Sequence, residues 1–134
     1  MYALEDRYIL NRPQLIEVIC QLRFPDILKI DSQIPDAFQD RIRKLYPRYE
    51  KKVEQLPPKI VDGKPTPQGT VNNYRFISED AQWKVSLAKS FIALSTHRYT
   101  RWEDFAKRLD LILDSFIRIY EPSYFTRVGL RYIN

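Results

Sequence analysis

Apolar residues recur along this chain with two different periods, and the switches between them mark its elements. Ile16, Val18, Cys20, Leu22 and Phe24 share one parity, and Glu17, Gln21 and Arg23 share the other with Ile19 among them. Period two over this length predicts a half-buried strand, bracketed by Pro13 and Pro25. Phe38, Ile42, Leu45 and Tyr49 then recur at helical spacing behind Pro35, which suits a first turn because its missing N–H is not needed there. Pro47 sets the end of that helix near Leu45 or Tyr46, since the residue before a proline avoids the helical region. Alternation returns over 73–78, 82–88 and 91–96, placing Tyr74 with Phe76 and Trp83 with Val85 and Leu87. The connections at 79–81 and 89–90 are short enough to require antiparallel neighbours.

A second helical period follows. Trp102, Phe105, Leu109, Ile112, Phe116 and Ile119 line one face, and Pro122 ends the run. Thr100 and Glu103 have the spacing of a capping box, and Glu103–Lys107, Asp104–Arg108 and Asp114–Arg118 have that of i,i+4 ion pairs. The closing run, 124–133, alternates Val128, Leu130 and Tyr132 against Arg127, Gly129 and Arg131. The order β-α-β-β-β-α-β predicts an α+β fold, a single antiparallel sheet of about five strands with two helices packed on one face. The chain reads as one domain over 1–134. A long loop rich in proline and glycine is expected over 56–72, with 59–61 at most a short extended piece.

Composition narrows the functional classes. One cysteine excludes an internal disulfide, and one histidine with one cysteine cannot close an ordinary zinc site. Three scattered glycines leave no phosphate-binding loop. Neither an apolar leader nor a run of about 18 apolar residues is present, so a cytoplasmic location off the membrane is expected. His97 is expected as a surface residue at a strand end and Cys20 as a buried, inert thiol. No catalytic residue, metal ligand or cofactor site is expected.

The net charge of +5 permits a polyanionic partner without requiring one. Two basic groups stand out. Arg41, Arg43, Lys44, Arg48, Lys51 and Lys52, with Tyr46 and Tyr49 between them, form a candidate nucleic-acid surface, or simply the solvated end of a helix. Parity gathers Arg23, Arg75, Lys84, Arg127 and Arg131 on the polar face of the sheet, together with Glu17, Gln21, Ser86, Gly129, Ile19 and Ile77. Arginines interleaved with small and apolar residues suit a face that something covers: a partner protein, another part of a longer chain, or an anionic ligand.

Tyr99, Trp102 and Phe105 give Y-x-x-W-x-x-F, and 127–134 reads RVGLRYIN. With the opening strand, these strings resemble a sporadically distributed, uncharacterised prokaryotic protein family with a G-L-R-Y-I-N signature. The resemblance implies an N-terminal half of a protein about twice this length, and brings no activity or catalytic residue with it. Asn134, following an unbroken apolar alternation, is expected not to be the natural end, and this chain alone is expected to pair with a second copy through Arg127 and Arg131. The leading expectation is a non-catalytic protein-interaction module. A nucleic-acid-binding module using the basic helix end or the arginine face, and an enzyme of unidentified type, are the alternatives.

Overall fold

The computed structural model describes residues 17–133 and has the expected α+β class, built on an antiparallel sheet. Among the described residues eight strands run in chain order: β1 (Glu17–Arg23), β2 (Arg48–Gln55), β3 (Lys59–Val61), β4 (Lys64–Thr66), β5 (Thr70–Ile77), β6 (Trp83–Ala88), β7 (Phe91–Thr96) and β8 (Arg127–Ile133). Three helices accompany them: α1 (Leu28–Ser32), α2 (Asp36–Ile42) and α3 (Trp102–Tyr120). The main sheet has six strands in the order β2-β5-β6-β7-β1-β8, and β3 pairs with β4 in a separate hairpin. Residues 13–16 of the expected first strand, and Asn134, lie outside the described residues.

The helices cover one sheet face, as the parity of the strands requires. Val18, Cys20 and Leu22 meet Phe76, Val85, Leu87, Ile92 and Leu94 in one core, closed by Ile30, Phe38, Ile42, Phe105, Ile112 and Phe116 from the helices. Aromatic pairs brace both sides of it. Phe38 meets Phe76 edge-on at 5.6 Å beneath β5, and Phe24 lies 4.9 Å from Phe116 beneath β1. Arg108 of α3 lies over the Trp83 ring at 4.1 Å, covering the outer end of β6 with a cation–π contact.

Several expectations are corrected: among the described residues the main sheet has six strands where about five were expected, and three helices accompany it where two were. The segment after Pro47 is an edge strand, β2, paired with β5 from Arg48↔Ile77 to Gln55↔Thr70, so Tyr49, which Pro47 already put past the helix end, lies in a strand. That helix spans only Asp36–Ile42, and a short α1 precedes it. The proline- and glycine-rich stretch carries the β3–β4 hairpin, turned by Asp62 and Gly63 at positive φ, where Gly63 meets no steric penalty. The capping box is not made. The residue that precedes α3 is Arg101, with extended backbone and no side-chain cap, while the Thr100 hydroxyl donates to Asp104 at 3.2 Å. Of the three expected i,i+4 pairs, Asp114–Arg118 forms at 3.0 Å; Asp104 is held instead by Arg101 at 3.4 Å.

Candidate interaction surface

The face of the sheet opposite the helices gathers most of the polar residues that parity assigned to it. Cross-strand registers give one row as Arg48, Ile77, Lys84, Ser95, Ile19 and Arg131, running from β2 to β8. The next row reads Glu50, Arg75, Ser86, Ala93, Gln21 and Gly129. Ser86, Ala93 and Ser95 on β6 and β7 are small, and longer side chains such as Arg75, Lys84, Ile19 and Gln21 stand around them. Ala93 and Ser95 are therefore buried although no helix covers them, and the face is hollow along its centre.

Two concavities occupy this hollow. One, of about 250 Å³, lies toward β2 and includes Arg48, Glu50, Arg75, Lys84 and His97. One ion pair lies within it, Arg75 reaching Glu50 at 3.7 Å, and the His97 ring lies 3.9 Å from the Glu17 carboxylate. The Nε of Arg75 is buried without a hydrogen-bond partner, a group whose desolvation costs about 1–3 kcal/mol when left unmet.

The other concavity, of about 400 Å³, lies toward β8 and includes Gln21, Arg23, Arg127, Gly129 and Arg131. Arg23 stands directly opposite Arg127 in the β1–β8 register, and Arg131 stands opposite Ile19. Arg23 rests against the Phe91 ring at 5.7 Å. Among the described residues no carboxylate pairs with any of these three guanidinium groups. Gly129 lies between the two β8 arginines, and the space where its side chain would stand is open to 4 Å.

The same strand forms the outer edge of the sheet. β8 pairs with β1 on one side, and among the described residues no strand pairs with the other. Its second row of side chains shares the parity of the core, since Leu22, Cys20 and Val18 stand opposite Val128, Leu130 and Tyr132. Among the described residues no helix covers that row: Val128 is 63% exposed, Tyr132 54% and Leu130 42%. The alternation of 124–133 groups Val128 and Leu130 with the core-facing positions, yet both are exposed. Parity alone told their face, while coverage depends on where α3 lies, which the pattern of β8 does not encode.

The basic helix-end group does not assemble as one surface. Arg41, Arg43 and Lys44 lie at the end of α2 and in the turn after it, whereas Arg48, Lys51 and Lys52 lie on β2 and alternate between its two faces. Arg41 reaches Asp114 at 3.8 Å and Arg43 reaches Asp40 at 3.1 Å, which reduces the free charge further. The membership of β2 in the open face was missed because a run rich in lysine and glutamate reads as a solvated helix end. The alternation of Tyr49 and Val53 with Arg48, Glu50 and Lys52 was the available signal.

Cys20 is buried on the helix side, and burial pushes its thiol above the ordinary range. Among the described residues no three His, Cys, Asp or Glu side chains converge as metal ligands, and no helix is long and apolar enough to cross a membrane. No family model, curated protein or solved structure matches the chain.

Proposed function

We propose that this domain is a non-catalytic protein-interaction module whose docking surface is the outer edge of β8 together with the arginine-lined concavity beside it. The observation that carries this reading is the state of β8: among the described residues it is an edge strand with no pairing neighbour on its outer side, an exposed apolar row on one face and arginines without a carboxylate partner on the other. Exposed edges of this kind template the pairing of another strand, and arginine suits a desolvated polar contact better than lysine because its guanidinium is weakly hydrated and forked. In line with the family the sequence resembles, the partner polypeptide is a following part of a longer chain or a separate protein.

The test uses the domain alone. With nothing on the edge, it pairs weakly with a second copy at high concentration, and added salt promotes the pairing by screening the arginines. Sedimentation velocity should show association that Leu130→Lys removes and Val53→Lys, on the opposite edge, leaves unchanged. Association that both substitutions leave intact would place the contact elsewhere and overturn the reading.

A further inference from the structure

We infer that the partner segment docked on β8 is an extended acidic strand, alternating carboxylate and apolar residues, that adds to the sheet beside β8. This inference rests on the reading of β8 as a docking edge and specifies the chemistry of what docks there.

Charge supplies the first part of the argument. Arg23 and Arg127 stand directly opposite one another, an arrangement that is unfavourable for like charges on neighbouring strands. Arg131 follows on the same face of β8, and among the described residues none of the three has a carboxylate partner. Elsewhere on the same face an arginine has its carboxylate within the chain, where Glu50 stands opposite Arg75 and reaches it. An incoming carboxylate is the missing complement. Guanidinium groups bind carboxylates through paired hydrogen bonds, and the open space over Gly129 admits a side chain between Arg127 and Arg131.

The periodicity of β8 supplies the second part. Residues of an added strand alternate between the two faces, as those of β8 do. Positions beside Arg127, Gly129 and Arg131 fall on the open face, where acidic residues fit. Positions beside Val128, Leu130 and Tyr132 fall on the helix side, where apolar residues extend the exposed row. A second copy of this chain fits less well, because it carries +5 and brings its own arginines to the same edge. A nucleic-acid strand would meet the arginines but leave the apolar row uncovered.

The experiment titrates the domain with capped peptides of about ten residues, long enough to span the strand. One alternates valine with glutamate, one valine with threonine and one valine with lysine; a fourth is the glutamate peptide N-methylated at alternate residues. The glutamate peptide should bind one to one, displace any self-association, and weaken roughly tenfold with each of Arg127→Ala and Arg131→Ala, as expected for lost charge-assisted hydrogen bonds. The lysine and N-methylated peptides should not bind. Equal binding of the threonine peptide would overturn the acidic specificity and leave the edge reading standing. Equal binding of the N-methylated peptide would overturn strand addition. Self-association that the glutamate peptide cannot displace would make a second copy the occupant, and tighter binding of an oligothymidine would make it nucleic acid. Should no peptide bind, and Leu130→Lys also leave self-association untouched, the edge reading fails together with this inference.

Discussion

The sheet ends in two edges of opposite character. On β2, five of eight residues are charged, and Arg48, Glu50, Lys51, Lys52 and Glu54 mix both signs. Neighbouring groups take up part of that charge, with Glu50 on Arg75 and Glu54 accepting from the Asn73 amide at 3.2 Å. Charged, lysine-bearing edges resist pairing with other chains, which opposes pairing at β2 although Tyr49 and Val53 are exposed there. On β8 the charges are Arg127 and Arg131 alone, both positive, flanked by exposed Val128, Leu130 and Tyr132. The two edges thus differ in their side chains, since both strands are similar in length and, among the described residues, each has one paired neighbour; on the proposed reading β8 is the edge that takes a partner.

The largest expected effect tests whether that contrast is confined to the surface. Phe38→Ala, beneath the β2 side, and Phe116→Ala, beneath the β8 side, should each cost about 3–5 kcal/mol in denaturant unfolding, because both rings are fully buried. A marginal loss at Phe116 alone would mean that the β8 side is loosely packed, and that the openness of its edge reflects a weak interior.

A smaller effect separates the edges themselves. The Tyr49 ring stacks on Tyr74 at 6.4 Å and contacts Phe76 at 5.7 Å, while the Tyr132 ring meets Tyr99 at 5.9 Å. Aromatic pairs of this kind contribute about 0.5–1.5 kcal/mol each beyond burial. Tyr49→Ala should therefore destabilise the isolated domain more than Tyr132→Ala does. The reverse order would mean that the exposed row on β8 serves the fold of the domain and not a partner.

A separate effect is expected from pH, through phenols buried wholly or in part beneath the sheet. Burial, reinforced by Asp36 and Tyr74, pushes the Tyr120 phenol up to about 12, and burial raises Tyr46 and Tyr74 as well. A raised folded value means that the native state holds a proton the unfolded chain releases. The corresponding stability is complete below the ordinary tyrosine value near 10 and is lost as pH rises through the folded one. Chemical denaturation at successive alkaline pH values should show a midpoint that falls across this window, and Tyr120→Phe should flatten the fall. A flat profile in the parent chain would remove burial of these phenols from the account.

Much of this surface was legible in the sequence. Period two assigned Arg23, Arg75, Lys84, Arg127 and Arg131 to one face because side-chain parity survives any detail of strand order. The turns at 79–81 and 89–90 fixed the β5-β6-β7 meander for the same reason: short connections leave no other geometry. β2 was illegible because its strand character comes from pairing with β5, and its charged residues have little preference for a strand in isolation. The capping box failed because α3 begins after Arg101, which puts Asp104 where the Thr100 hydroxyl can reach it. The hairpin in the stretch rich in proline and glycine depends on turn conformations at Asp62 and Gly63 that composition permits without specifying.

The contrast between the edges is tested most directly by amide hydrogen exchange, resolved by residue, in the free domain and with the valine–glutamate peptide at saturation. Amides of Arg127–Ile133 on the outer side of β8 should slow on binding, while those of Arg48–Gln55 exchange at the same rates in both samples. Slowed exchange along β2, or unchanged exchange along β8 when the peptide is demonstrably bound, would contradict the assignment of β8 as the docking edge.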